Sequence, residues 1–382
     1  MQPNLIEARI DLEAVAHNVK QLKGLTKKGT KFMAVVKADG YGHGAVPAAR
    51  SSLDAGADRL GVARLEEAIE LRLAEISAPI LVFGYVPPSA VTLLADHNLT
   101  ATVYGRNFAK ALSDAAVKNN VTVRAHLKVD TGMGRVGLLT PGLGPAGEDP
   151  EAAEQEVRSI LELPGLYMEG IYTHFSAADS RDKTYTRYQL DNFNRFLEEL
   201  EAKNIRFDCV HAANSAGIID MPESHFDMVR AGISLYGLYP SPEVDHSVAE
   251  LRPAMELAAA ITSVRRVPEG FRISYGMTYA TASETCIASV PAGYADGFSR
   301  HNSSNGFMLV KGQRVPIAGR VCMDQTMIDI GDMETVSPGD EVMILGKQGD
   351  EEISADEIAD RIGTINYEVV SALTSRVPRV YM

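Results

Sequence analysis

Short apolar runs alternate with longer amphipathic stretches from Lys31 to about Gly232. We interpret eight of these runs as strands: 32–37, 59–63, 79–83, 99–103, 121–129, 166–174, 207–211 and 226–230. The stretches between them carry apolar residues on one helical face, most clearly in 185–200. A further helix is predicted over 11–23, with Asp11 as its N-cap. Apolar strands separated by helices predict a parallel sheet that is covered on both faces.

The number of these strand–helix units predicts the fold class. Eight units in about 200 residues are typical of a closed (β/α)8 barrel, the TIM barrel. A doubly wound open α/β sheet is the alternative. We place the barrel in 1–240 and leave open that the first strand joins the second domain.

The pattern changes after Tyr239, where PSPEVDHS has the composition of a linker. The extended runs beyond it are 255–267, 271–276, 285–291, 307–311, 314–318, 321–330 and 341–346. Turn sequences containing Pro and Gly separate several of them. A helix is expected around 354–363, after Ser354. Residues 241–382 are therefore predicted to form a mainly antiparallel β domain.

Composition narrows the function classes. The 382 residues carry a net charge of −13, which argues against non-specific binding to nucleic acid or anionic membrane. No apolar run approaches the length of a bilayer span, and the N-terminus lacks the pattern of a signal peptide. The three cysteines form no CxxC pair, which indicates a reducing compartment. We expect a cytosolic protein.

Lys37 is the first candidate catalytic residue, because it ends the first apolar strand and a glycine-rich turn follows it. Catalytic groups of barrels gather at that end, and a desolvated lysine becomes a nucleophilic amine that forms Schiff bases. A lysine that caps the strand and points into water is equally consistent with its position. The loops after strands seven and eight contain Asn214-Ser215-Ala216-Gly217 and Ala231-Gly232-Ile233. Such loops often bind phosphate, so the combination favours pyridoxal phosphate.

Other motifs carry less weight. The segment 132–137 fits GxGxxG, but glycines and prolines follow it where a dinucleotide fold requires a helix. The nine histidines show no metal-ligand spacing, so no metal site is expected. Cys322 is interpreted as a small buried residue rather than a nucleophile. Taken alone, Tyr275 and His174 would be packing residues.

The chain resembles the alanine racemases, which are pyridoxal-phosphate enzymes of fold type III. The motifs that carry the resemblance run in order along almost the whole chain: AVVKADGYGHG, HLKVDTGMGRVG, GIYTHFSAAD, HAANSAG, MVRAGISLYG, ISYGMTY, PAGYADG, GRVCMDQTMID and TINYEV. The resemblance implies interconversion of L- and D-alanine, a supply of D-alanine for peptidoglycan, and a head-to-tail homodimer with shared active sites.

The resemblance also assigns roles to residues. It makes Lys37 and Tyr275 the two catalytic bases, with Lys37 in Schiff-base linkage to the cofactor and Tyr275 supplied by the partner subunit. The positions implied to bind the cofactor are Lys37, Tyr41, Arg135, His174, Asn214, Ser215, Arg230, Gly232, Ile233 and Tyr367. Those implied to receive the substrate are Arg135, Met323 and Asp324. Lys128 matches a lysine that is carbamylated in many members.

The implied chemistry explains these residue types. Two bases on opposite faces of a planar carbanion remove and return a proton without crossing the plane, and His174 links the tyrosine to Arg230. Arg230 faces the pyridine nitrogen and cannot accept its proton, so the nitrogen is expected to stay unprotonated. Three alternatives remain: a fold-type III amino-acid decarboxylase, a non-catalytic pyridoxal-phosphate carrier and a broad-specificity racemase. The decarboxylase would carry an acidic residue at that nitrogen, and the carrier resembles the barrel alone.

Overall fold

The chain divides into two compact units in a computed structural model that describes residues 4–141, 143 and 150–382. The barrel unit contains 14–40 and 45–252. The second unit contains the described residues up to Glu13, the segment 41–44 and 253–382. The domain boundary that the sequence predicts after residue 240 stays a prediction.

The strands from the N-terminus to the end of the barrel are β1 (Ile6–Ile10), β2 (Lys31–Val35), β3 (Arg59–Val62), β4 (Ile80–Val82), β5 (Leu99–Val103), β6 (Val123–Asp130), β7 (Leu138–Leu139), β8 (Leu166–Tyr172), β9 (Cys209–His211) and β10 (Met228–Ala231). The helices of this part are α1 (Leu12–Gly24), α2 (Lys37–Tyr41), α3 (Ala45–Asp54), α4 (Leu65–Leu73), α5 (Val91–Asp96), α6 (Arg106–Lys118), α7 (Pro150–Leu161), α8 (Thr184–Ala202) and α9 (Ser215–Asp220).

Eight of these strands close a barrel. They pair in parallel in the order β5-β4-β3-β2-β10-β9-β8-β6, and β6 pairs with β5 to complete the ring. All eight predicted strands are present, with ends shifted by a few residues, and the predicted barrel is confirmed. The open doubly wound sheet is thereby excluded. The strands are mostly apolar because both faces are buried, as in β5, where all residues are buried.

The remaining strands are β11 (Met255–Ala260), β12 (Ser263–Val267), β13 (Arg272–Ile273), β14 (Tyr279–Ala280), β15 (Thr285–Val290), β16 (Phe307–Val310), β17 (Gln313–Pro316), β18 (Thr326–Gly331), β19 (Glu341–Gln348), β20 (Glu351–Ile353) and β21 (Arg379–Tyr381). Two helices accompany them, α10 (Ala355–Ile362) and α11 (Asn366–Ser371). Ser354 caps α10 as expected, and its Oγ accepts a hydrogen bond from the Glu357 N–H at 3.0 Å.

The second unit is a β domain in which most strands pair antiparallel. Its largest sheet has the order β17-β16-β19-β11-β1-β21, and a separate sheet has the order β12-β15-β18. β1 pairs antiparallel with β11 and parallel with β21, so the first strand of the chain belongs to this unit. The predicted antiparallel β domain is confirmed.

Three predicted extended runs are wrong in detail. The run 255–267 is two strands of different sheets, because the N–H groups of Ile261 and Thr262 bond to Asp340 and Ser289. The run 271–276 is a strand only over Arg272–Ile273, since Ser274 and Gly276 take positive φ. The first residues of 321–330 form a turn closed by the Cys322 N–H on Gln325 O at 2.9 Å. Helix α11 and strand β21 were not predicted.

In the part of the chain that the structure describes, no helix is long and apolar enough to cross a membrane. The loop predicted over 140–150 lies mostly outside the described residues, because 142 and 144–149 are among those not described.

Candidate active site

Lys37 follows β2 directly and begins an unusual turn. Ala38, Asp39, Gly40 and Tyr41 all have φ between 51° and 58°, so α2 is one turn of left-handed helix. Left-handed backbone costs a residue other than glycine about 1–2 kcal/mol, so the turn must be held from outside. Two carboxylates hold it: Glu67 accepts the Ala38 N–H at 2.7 Å, and Asp39 accepts the Ala45 N–H at 2.9 Å.

Burial changes the chemistry of the Lys37 amine. Desolvation lowers the pKa of Lys37, the positive charge of Arg135 lowers it further, and Glu67 opposes both. A lower pKa raises the fraction of neutral amine near neutral pH, and the neutral amine is the nucleophile. The predicted role of Lys37 as a strand-end amine therefore has a physical basis in this structure.

Arg230 on β10 is buried, and four acceptors lie within hydrogen-bond distance of its guanidinium, three of which share the two N–H groups of Nη2. Its Nη1 lies 2.9 Å from His211 Nδ1, and its Nη2 lies 3.2 Å from His174 Nδ1. Nη2 also donates to the carbonyl oxygens of Thr173 and Ala212, at 2.9 and 2.8 Å. Among the described residues, no carboxylate lies within ion-pair distance of this guanidinium. The surroundings of Arg230 thus differ from those that the decarboxylase alternative predicts.

The same contacts determine the protonation of both histidines. Burial lowers the pKa values of His174 and His211 far below their usual value, and the charge of Arg230 lowers them further, so both rings are neutral. A guanidinium only donates, so each imidazole must accept at Nδ1. Each ring therefore carries its proton on Nε2, and His174 presents an Nε2–H donor.

Lys128 lies at the end of β6, buried beside the Tyr172 ring. Its Nζ donates to the Val129 carbonyl at 2.6 Å and lies 5.6 Å from the centre of the Tyr172 ring. Burial lowers the pKa of Lys128 to about 7, with Asp130 opposing and the charges of Arg230 and Arg135 assisting. Much of this amine is therefore neutral near pH 7.

The loop that carries Arg135 is organised by Asp130. Its Oδ1 accepts the N–H groups of Gly132, Met133 and Gly134 at 2.9, 2.8 and 3.1 Å, and its Oδ2 accepts that of Arg135 at 3.0 Å. The GxGxxG segment thus closes around a carboxylate of the protein, and the two-residue strand β7 follows it instead of a helix. Arg135 itself is exposed.

The predicted phosphate loops lie next to each other after β9 and β10. Ser215 Oγ accepts the Gly232 N–H at 2.9 Å and lies 3.4 Å from the Ser234 nitrogen. Asn214 caps α9 through the Gly217 N–H at 3.0 Å. The hydroxyl of Ser234 is fully buried and has no hydrogen-bond partner in the described structure. A buried hydroxyl without a hydrogen-bond partner among the described residues, next to Ser215, fits a phosphate group.

Tyr41 and Tyr367 come together in the second unit. Their ring centroids are 6.2 Å apart. The segment that begins at Tyr41 packs closely on α11: a Cβ at Gly42, whose φ is 84°, would lie 2.2 Å from the Val370 carbonyl oxygen. Only glycine fits this approach.

Tyr275, Met323 and Asp324 also belong to the second unit. Tyr275 is 70% exposed and Met323 is 52% exposed. The backbone around them is fixed, since the N–H groups of Tyr294 and Ala295 bond to the carbonyls of Cys322 and Met323 at 3.1 and 3.0 Å. Arg376 donates to Asp324 at 2.8 Å.

Several residues around Arg230 were not predicted from the sequence. Tyr172 stacks on His211 with ring centroids 4.6 Å apart. His126 extends the hydrogen-bonded chain beyond His211, and a carboxylate oxygen of Glu169 lies 3.6 Å from His126 Nε2. The sequence contains one indication of them: His126 and Glu169 are polar residues within the mostly apolar strands β6 and β8.

A closed barrel with cations and imidazoles at the carboxyl ends of its strands is the layout of a barrel enzyme. Comparison with known proteins gives the family. The family described as "Alanine racemase, N-terminal domain" matches residues 10–240, and "Alanine racemase, C-terminal domain" matches 254–381. The chain therefore belongs to the alanine racemase family.

Individual relatives span the whole chain. The alanine racemase of Desulfosudis oleivorans is 53% identical over 374 residues, covering 98% of this chain and 96% of that one. That of Methanococcus maripaludis is 47% identical, covering 99% and 98%. Among solved structures, the alanine racemase of Bacillus anthracis with bound L-Ala-P is 37% identical, with a TM-score of 0.93, covering 100% of this chain and 96% of that one.

The contacts of Asp130 generate a stability prediction. Burial opposes its ionisation, but the hydrogen bonds from Gly132, Gly134 and Arg135 and the charge of Lys128 outweigh it and lower the pKa of Asp130. We expect Asp130→Asn to reduce the free energy of unfolding by about 1.5–3 kcal/mol at pH 7, measured by urea denaturation.

The sign of the pH dependence follows from the lowered pKa. The contribution of Asp130 is present above the usual pKa of 3.8 and is lost as the pH falls through the folded-state value. The difference between wild type and Asp130→Asn should therefore shrink in acid. Asp182→Asn is the control, because its exposed carboxylate accepts one backbone N–H, that of Thr184. A difference that does not change with pH would contradict the assignment.

Proposed function

We propose that this protein interconverts L- and D-alanine with pyridoxal phosphate and thereby supplies D-alanine for peptidoglycan. The observation that carries the proposal is the Lys37 amine with its lowered pKa at a strand end, in a chain of the alanine racemase family with a buried Arg230 among neutral acceptors. A racemase acting on larger amino acids as well is the alternative that the site leaves open.

The residues fit the cofactor. Lys37 would bind its aldehyde and Arg230 its ring nitrogen. Ser215, Gly232 and Ile233 would bind its phosphate, with the Gly232 N–H turning from Ser215 Oγ to the phosphate. Asn214 and Arg135, with Tyr41 and Tyr367 of the second unit, complete the proposed set. When bound, pyridoxal phosphate withdraws electrons from the α-carbon of the amino acid and acidifies its proton.

Two groups would move the proton. Lys37 Nζ takes or returns it on one face of the α-carbon, and Tyr275 Oη does so on the other. A phenol has a pKa of about 10, so Tyr275 needs a donor that stabilises its phenolate. The Nε2–H of His174 is such a donor, and Arg230 fixes that tautomer by occupying Nδ1. Arg230 remains charged and cannot take a proton from the ring nitrogen.

A second copy of the chain is the proposed partner. Tyr275 and Met323 are polar or polarisable groups on an exposed face with a fixed backbone, and Met277 beside them is 58% exposed. The segments that carry them adjoin, since Ser274 Oγ lies 3.4 Å from Cys322 Sγ, and a cluster of exposed large side chains is typical of an interface. We infer a homodimer in which this face, with Met323 and Asp324 for the substrate carboxylate, completes the site of the other subunit.

The racemase proposal predicts exchange of the α-proton. In D2O the wild type should place deuterium on the α-carbon of both alanine enantiomers. Proton NMR measures this exchange as a loss of the α-proton signal. Lys37→Ala and Tyr275→Phe should each reduce racemisation by about 10²–10⁴-fold, since each removes a general base. Tyr188→Phe, at a tyrosine on α8 that is 42% exposed, is the control. Release of CO2 without exchange would contradict the proposal.

Shared active sites predict complementation. Lys37→Ala and Tyr275→Phe homodimers should both be nearly inactive, whereas hybrids contain one site with both bases intact. Mixing under conditions that exchange subunits should restore about a quarter of the wild-type activity per chain. A mixture that stays inactive although hybrid dimers are detected by native mass spectrometry would contradict sharing.

The environment of Lys128 predicts carbamylation. The lone pair of its neutral Nζ attacks the carbon of CO2, an N–C bond forms, and one proton leaves to water. Since the pKa is about 7, labelled bicarbonate should give a carbon-13 carbamate signal above that pH, and the signal should disappear below it as the amine protonates. Lys128→Met is the control. A signal that persists in this variant, or none above pH 7, would contradict the assignment.

A further inference from the structure

A line of polar side chains crosses the interior of the barrel from Arg59 to Arg230. Arg59 pairs with one carboxylate oxygen of Glu169, and the other oxygen lies 3.6 Å from His126 Nε2. His126 Nδ1 lies 2.8 Å from His211 Nε2, and His211 Nδ1 lies 2.9 Å from Arg230 Nη1. Both histidines are fully buried, and the Glu169 side chain is 9% exposed.

The direction of every donor in this line is fixed by its two ends. Arg230 only donates, so His211 accepts at Nδ1 and carries its proton on Nε2. That proton is donated to His126 Nδ1, which leaves the proton of His126 on Nε2, facing Glu169. An ionised carboxylate only accepts, so the line ends there without two donors meeting.

The backbone is arranged to bring Glu169 into this line. Between β6 and β8 the register shifts, so that Ala125 faces Met168 but His126 faces Gly170. Glu169 is the extra residue of this bulge, and bulges re-aim side chains. Gly170 leaves room for the imidazole, because a Cβ there would lie 2.7 Å from His126 Nδ1.

Charge gives the line a second role. Arg230 is a buried cation without a carboxylate among its hydrogen-bond acceptors in the described structure. Glu169 is the anion at the far end, and its contacts with His126 and Arg59 lower the pKa of Glu169 although burial opposes this. Polarised hydrogen-bonded chains transmit such stabilisation inside a low-dielectric interior.

We propose that Glu169, acting through His126 and His211, is a positioning residue that fixes the orientation of the Arg230 guanidinium. The effect on turnover rests on the proposed function, because Arg230 then meets the cofactor ring nitrogen and His174. The effect on the histidines does not depend on any activity.

Histidine tautomers are the direct readout. In the full-length protein labelled with nitrogen-15 histidine, with and without pyridoxal phosphate, two-bond proton–nitrogen NMR should show His126 and His211 as neutral Nε2–H forms. His126 is assigned by the signals that His126→Asn loses. In Glu169→Gln, an amide must place its NH2 against either His126 or Arg59. We expect an Nδ1–H population to appear at His126.

Turnover provides the second readout. Glu169→Gln should lower kcat on the order of tenfold, as loss of an outer hydrogen-bond partner of a functional group commonly does, and leave KM for alanine nearly unchanged. A uniform loss of folded enzyme would not change the tautomers. Asp220→Asn is the matched control, since it breaks the Lys183–Asp220 pair of similar burial, at 2.5 Å, in the same unit.

A double-mutant cycle tests whether Glu169 acts through His126. In His126→Asn, the amide oxygen of the new side chain can still accept the His211 Nε2–H, but the substitution removes the contact with Glu169. Adding Glu169→Gln to His126→Asn should therefore have little further effect on kcat. Additive effects of the two substitutions on kcat would overturn the proposal. So would Nδ1–H tautomers of His126 or His211 in the wild type, or a Glu169→Gln variant in which both the tautomers and kcat are unchanged. Native tautomers in a protein without racemase activity would contradict the proposed function alone.

Discussion

The site depends on one constraint: a guanidinium is buried inside the barrel and must be satisfied by neutral acceptors. Moving a charge out of water costs several kcal/mol, and Arg230 recovers it through two carbonyls and two imidazole nitrogens. Because a guanidinium never accepts, it fixes the tautomers of His174 and His211. The protonation of the site is therefore set by the position of one side chain on β10, and the surrounding strands must supply the acceptors at the right places.

The barrel could be predicted from the sequence because its physical signal is local. A parallel strand covered on both faces is mostly apolar, and the helices between the strands carry an apolar stripe, so all eight strands could be predicted. The second unit has weaker signals. Whether the run 255–267 continues or changes sheets at Ile261 is decided by hydrogen bonds to Asp340 and Ser289, which are distant in sequence. A local pattern contains no information on such partners.

The candidate site divides in the same way. Lys37 and the two loops proposed to bind an anion follow from their positions at strand ends, and the roles proposed for Arg230 and Tyr275 follow from a resemblance of motifs. His126 and Glu169 could not be found in that way. A glutamate in a strand ordinarily indicates a solvent-facing position, and only the register shift between β6 and β8 turns Glu169 inward. That shift is a property of two paired strands and is not visible in either alone.

The left-handed turn after Lys37 shows how the fold bears the cost of its site. Three residues other than glycine hold positive φ there, at about 1–2 kcal/mol each, so the turn would not persist as an isolated segment. Its compensation comes from Glu67 on α4 and from the backbone of α3. Glu67 also acts electrostatically on the Lys37 amine, opposing the decrease of its pKa. One carboxylate thus contributes both to the direction in which the lysine leaves the strand and to the proton affinity of its amine. The backbone geometry at Lys37 and the basicity of its amine are therefore both influenced by the Glu67 side chain.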